Sequence, residues 1–183
     1  MEQPTLYVFF GLIASGKSTL AELFATSHSF PYYNTDKVRK ELAGIAANER
    51  RPDGMGQGIY TPAFTERTYQ TMLDRAVQDF NKGAAGVVLD GSYSKAADRH
   101  KVNKLASARD ARPLFFLCSC SEQETQHRLA IRAQDPDAVS DGRWEIFVQQ
   151  KKSFEEPDEL PPHQLTSIDT EADPQELLRL LKS

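Results

Sequence analysis

A chain of 183 residues, 39% apolar and 26% charged, suits one globular domain large enough to bury a full core. Its net charge of −4 argues against a protein that coats nucleic acid non-specifically, although a local basic groove stays open. No apolar run approaches the roughly 20 residues that span a bilayer, and Met1–Thr5 has no basic n-region; the expectation is no membrane partner, no secretory signal and a cytoplasmic location.

Thr5–Phe10 reads as a buried strand and Lys17–Ser27 as a helix. Between them Gly11-Leu-Ile-Ala-Ser-Gly16-Lys17-Ser18-Thr19 fits G-x-x-x-x-G-K-[ST] without a mismatch. Glycines at the two turns let successive amides, from Gly11 through Ala14, Ser15 and Gly16 to Thr19, point into one concavity at a positive helix end. That is a cradle for the phosphates of ATP. Lys17 would reach the β- and γ-phosphates, and the Ser18 hydroxyl would bind Mg²⁺.

Phe30–Asn34 reads as a short second strand, and Thr35/Asp36 as the cap of a helix ending near Leu42. Asp36 and Arg39 share one face of that helix. They suit a general base and a cation on the acceptor side of a phosphoryl transfer, or more plainly a cap with a surface ion pair. Residues 44–60, with Arg50, Arg51, Pro52, Asp53 and Gly54, read as a mobile loop. With Tyr60, that loop is a candidate for acceptor specificity. Thr61-Pro62 opens a helix to about Asn81.

Gly86–Asp90 is a continuous apolar strand ending in an acid. At a strand's carboxyl end Asp90 can hold Mg²⁺, or else cap the turn Gly91-Ser-Tyr. A basic helix over Lys95–Ala108 reads as a solvated face. Pro113–Cys118 is the fourth strand, and the spacing of Cys118 and Cys120 predicts two buried thiols on one face. Ser121-Glu-Gln-Glu124 has capping-box form and opens a helix bearing His127, Arg128 and Arg132. Its arginines could close over ATP, stack on the base and hold the γ-phosphate. A polar loop over 134–141, a helix over 142–154, a fifth strand over Gln164–Ile168 and a helix capped by Asp173 complete the chain.

Strands alternating with helices predict a parallel sheet covered on both faces. The expected fold is a three-layer α/β P-loop NTPase domain of kinase type, one unit over residues 1–183, with a five-stranded sheet and a helical lid at about 125–145. Its ligands belong at the carboxyl ends of the strands.

The loop motif, then Asn34-Thr-Asp36-Lys-Val-Arg39-Lys-Glu-Leu, Leu89-Asp90-Gly-Ser and Arg128-Leu-Ala-x-Arg132, resembles a family of small P-loop kinase-like proteins, also described as AAA-family ATPases. The family is related to the kinase domain of phage polynucleotide kinase, to zeta toxins and to chloramphenicol phosphotransferase. The resemblance covers nearly the whole chain, including Ile59-Tyr60-Thr-Pro and Ser140-Asp141, with Gly142 a small departure from an expected alanine. It implies that Asp36 is the general base toward the acceptor hydroxyl, that Arg39 contacts the acceptor, and that Arg128 or Arg132 stabilises the transferring phosphate. No AAA+ sensor or second-region motif accompanies it.

The expected function is transfer of the γ-phosphate of ATP·Mg²⁺ to an acceptor hydroxyl, on a nucleic-acid 5′ end or a small metabolite. A hydrolase in which Asp36 orients water, and a non-catalytic ATP-binding module serving a partner, are the rivals. Asp169-Thr170 after the fifth strand shows no guanine-reading motif, which favours adenine. Oligomeric state is not legible.

Overall fold

The computed structural model describes residues 3–46, 56–135 and 143–181. Of the expectations above, those on Arg50, Arg51, Pro52, Asp53 and Gly54, and on Ser140, Asp141 and Gly142, lie outside the described residues. Those described form five parallel strands ordered β2-β3-β1-β4-β5: β1 (Thr5–Phe10), β2 (Tyr32–Asn34), β3 (Gly86–Gly91), β4 (Arg112–Ser119) and β5 (Leu165–Asp169). Around them lie α1 (Lys17–His28), α2 (Thr35–Leu42), α3 (Pro62–Asn81), α4 (Ala96–Ala108), α5 (Glu122–Gln134), α6 (Trp144–Ser153) and α7 (Pro174–Leu181).

β1 is apolar on both faces because both are covered, as parallel sheets require. Leu6, Val8 and Phe10 pack with α2, α3 and α4 through Val38, Met72 and Val102. Phe9 packs the other way, on Leu20 and Phe24 of α1 and Leu178 of α7. The result is the expected three-layer α/β P-loop fold. β1 is central, and the chain runs from it to β2 and β3 on one side and to β4 and β5 on the other. The crevice where connections diverge therefore opens at its carboxyl end, where doubly wound sheets bind their ligands.

Three local expectations change. The cap of α2 is Asn34, whose side chain accepts from Lys37 N at 3.0 Å, and not Thr35 or Asp36. Helix α4 is not simply a solvated face, because Arg99 is fully buried. Its guanidinium pairs with Glu159 through Nε and Nη2 (2.5 and 3.0 Å) and donates to Tyr93 O at 2.9 Å and Glu156 O at 3.2 Å. It thereby ties the chain after α6 to α4 and to the end of β3. Arg99→Met will lower unfolding free energy by about 2–3 kcal/mol, since two carbonyls and a partly hydrated carboxylate lose their donor; chemical denaturation checks this. The cysteines also divide. Cys118 is a buried strand thiol, its pKa pushed up to about 12 chiefly by burial, whereas Cys120 lies beyond the end of β4 and is only half-buried.

Candidate active site

Two glycines shape the loop after β1. Gly11 has φ +143°, and a Cβ there would lie 2.3 Å from Cys118 O, so the chain can leave β1 this close to β4 only without a side chain. Gly16 has φ +77°, and its Cβ would lie 2.8 Å from both Arg128 Nη1 and Thr170 Oγ1. Ala14 also takes a left-handed conformation, φ 59°, which a non-glycine residue adopts at a cost. The loop is braced from outside: Ile13 N donates to Gln150 Oε1 of α6 at 2.8 Å, and Thr170 Oγ1 donates to Ser15 O at 2.7 Å. Ile13 and Ala14 also pack on Leu129 of α5 and Phe147 of α6, so both helices rest on the loop.

The first intrahelical bond of α1 runs from Leu20 N to Gly16 O, 3.2 Å, which leaves the amides of Lys17, Ser18 and Thr19 without helical partners. These residues, with Ala14 and Gly16, line a cavity of about 540 Å³ shared with Tyr32, Asn34, Asp36, Arg128, Arg132 and Thr170. Lys17 arches back so that Nζ donates to Leu12 O at 3.1 Å. Burial draws its pKa below the ordinary lysine value and Arg132 adds to this, while Asp90 and Asp36 oppose it.

Asp90 is fully buried in register with Phe9 of β1 and Asn34 of β2. Its Oδ2 accepts from Tyr32 Oη at 2.7 Å and from Asn34 Nδ2 at 2.6 Å. Among the described residues Oδ1 has no partner, and neither oxygen accepts from the turn that follows. A buried, unpaired carboxylate oxygen beside a cavity that also presents the Ser18 hydroxyl is a donor set suited to a hard cation, so these residues fit Mg²⁺. The Tyr32 phenol is held protonated by burial and by Asp90.

Asp36 lines the cavity and takes Arg39 Nη1 on Oδ1 at 2.8 Å. Arg39 is only 7% exposed, lies 4.9 Å over the Tyr60 ring, and has an Nε without an acceptor among the described residues. The pair joins a buried arginine to a half-buried carboxylate, so it is not the surface pair that spacing alone allows.

Arg128 and Arg132, alike in spacing, sit in different surroundings. Arg128 is committed through Nε to Glu124 Oε1 (2.7 Å), through Nη1 to Ala14 O (3.3 Å) and Thr170 Oγ1 (3.0 Å), and through Nη2 to Thr170 O (2.7 Å). It also lines the cavity, with Ile131, Pro174 and Leu177. Arg132 lies deeper. Burial lowers its pKa, Asp36 and Asp90 raise it, and it bears in turn on Lys17. The capping box is only half formed: Ser121 Oγ takes Glu124 N at 3.2 Å, but the Glu124 carboxylate holds Arg128 instead of the cap amide.

Sequence reasoning left Tyr32, Asn34, Gln150 and Thr170 without roles. The strand-end rule applied to β5 points to Thr170, and period-two alternation puts Tyr32 and Asn34 on one face of β2. Nothing local singles out Gln150.

Residues 6–157 match the profile of a family described as AAA domain. The chain belongs to that family. Two uncharacterized relatives, in Mycobacterium tuberculosis and Mycobacterium bovis, are 29% identical to this AAA-domain protein over 119 residues, 65% of the chain. The match spans 24% of their own length. Among solved structures, a gluconokinase from Sinorhizobium meliloti aligns with TM-score 0.64 and 19% identity over 98% of this chain and 90% of its own. The Mycobacterium tuberculosis APS kinase, solved with AMPPNP and APS, aligns with TM-score 0.64 and 17% identity over 100% of both chains. A shikimate kinase from Aquifex aeolicus aligns at 0.57 and 15%, over 97% and 93%. The AAA-domain protein thus has a P-loop kinase-like fold, and no helix among its described residues is long and apolar enough to cross a membrane.

Proposed function

We propose that this AAA-domain protein is a kinase that transfers the γ-phosphate of ATP to a hydroxyl of a small-molecule acceptor. The observation that carries this reading is the meeting of Lys17, Arg132 and the carboxylate of Asp36 on one cavity, with the unpaired Oδ1 of Asp90 buried beside it. A nucleotide-binding module needs the cations, but it has no use for a carboxylate held in place by a buried arginine. The amides of Gly16–Thr19 bind the phosphates, and Lys17 neutralises them. Ser18 and Asp90 would hold Mg²⁺, which would supply positive charge against the phosphates when bound. Arg128 offers its face to the base, and Arg132 lies where it can take up charge on the transferring group. Asp36 accepts the proton of the acceptor hydroxyl as its oxygen bonds to the γ-phosphorus and the bond to the β-phosphate oxygen breaks. Arg39 fixes Asp36 and faces the acceptor side.

The net charge of −4 and the kinase neighbours, named for gluconate, shikimate and APS, favour a small acceptor over a nucleic-acid 5′ end. The test follows γ-labelled phosphate from ATP·Mg²⁺ into sugar acids, polyols, hydroxy acids, nucleosides and a 5′-hydroxyl oligonucleotide. Label on a small molecule is the expected result. Label on the oligonucleotide alone moves the acceptor to nucleic acid, and free phosphate with every acceptor leaves a hydrolase.

A further inference from the structure

We infer that Thr170, the residue after β5, is a positioning residue whose hydroxyl sets the peptide between Ser15 and Gly16 in its phosphate-binding orientation. The inference rests on the nucleotide-site reading given above. Thr170 is 6% exposed, and every polar atom it has is engaged. Its amide donates to Ser119 O at 2.9 Å, which fixes the residue to the end of β4. Its hydroxyl donates to Ser15 O at 2.7 Å and lies 3.1 Å from Ser119 O. The same oxygen accepts from Arg128 Nη1 at 3.0 Å, and its carbonyl accepts from Nη2 at 2.7 Å.

In a trans peptide the carbonyl and the following N–H point in opposite directions. With Ser15 O tied to Thr170, the Gly16 N–H is turned away from Thr170, toward the inner side of the loop. If the hydroxyl is lost, Ser15 O loses the bond that fixes this peptide, and Gly16 at φ +77° is the residue in the loop freest to turn. A rotated peptide presents a carbonyl oxygen where an anion must sit. The Thr170 side chain also occupies the space a Gly16 Cβ would fill, so bulk and hydroxyl act on the same hinge. Ser119 O keeps the Thr170 amide in any variant, and Arg128 keeps Ala14 O and Thr170 O when the hydroxyl is lost, so Ser15 O is the acceptor left without its donor.

Thr170→Val keeps the shape and removes the donor, while Thr170→Ser keeps the donor. Calorimetric titration with ADP and Mg²⁺ will show affinity weakened about ten- to a hundredfold in the valine variant, the scale of one unsatisfied buried acceptor. The serine variant will bind within about threefold of the unaltered chain, well inside the tenfold that one such step represents. Should the valine variant not fold, as judged by circular dichroism, Thr170→Ala carries the same expectation. Equal affinity without the hydroxyl overturns the inference, and so does a serine variant as weak as valine, which would leave a packing role only. An unaltered chain that binds no ADP is a different result: it removes the nucleotide site itself, and this inference with it.

Discussion

Lys17→Ala will lose nucleotide affinity and lower kcat by about 10²–10³-fold, the scale of one missing preorganised donor to developing charge. The ammonium is held by Leu12 O at 3.1 Å, inside the turn whose amides it completes. Burial pulls its pKa down, and the opposing pull comes from Asp90 and Asp36. A cation in the field of two carboxylates and in a poorly hydrated loop interacts with phosphate far more strongly than one in water. Without it, Asp90 loses a near cation and the incoming phosphates meet Asp36 and Asp90 with less positive charge to offset them, so ground-state binding and transfer both suffer. ADP titration and initial rates at saturating ATP separate the two losses. A variant with unchanged kcat would take the loop out of the reaction.

The parts of this site legible in the sequence are those made by neighbours in the chain. The loop from Gly11 to Thr19, the strand before it and the helix after it depend on local backbone conformation, and they stand where the motif puts them. Asp90 and Asp36 were reachable through the strand-end rule. What holds them was not. In the sequence Asn34 is the last residue of a strand, yet its amide group both caps α2 and holds Asp90, 56 positions away. Arg99 looked like one more base on a solvated helix because its partners, Glu159 and two carbonyls, lie elsewhere in the chain. Thr170 reaches Ser15 across 155 positions, and no periodicity encodes such a contact. Arg128 and Arg132 show the same limit. Spacing of four puts both on one helix face, but only the packing of α5 on the loop separates a guanidinium spent on backbone carbonyls from one facing the carboxylates.

Asp36→Asn will leave ADP affinity nearly unchanged and lower transfer by about 10²–10⁴-fold, the usual scale for a general base. The amide has the carboxylate's shape, and its oxygen can still accept from Arg39 Nη1, now 2.8 Å from Oδ1. The α2 cap is Asn34, so the substitution leaves the helix start intact. What it removes is the ability to take a proton from an acceptor hydroxyl. Arg39 makes the test sharper. Buried against Tyr60 and bonded to Asp36, it fixes the carboxylate before any acceptor arrives, so the loss should fall on kcat and little on KM for ATP. A purely structural Asp36 would instead lower thermal stability and spare turnover. Equal turnover by the asparagine variant would therefore remove Asp36 from the chemistry. It would also leave the Asp36–Arg39 pair as a brace of α2, with the base to be sought elsewhere on the cavity wall.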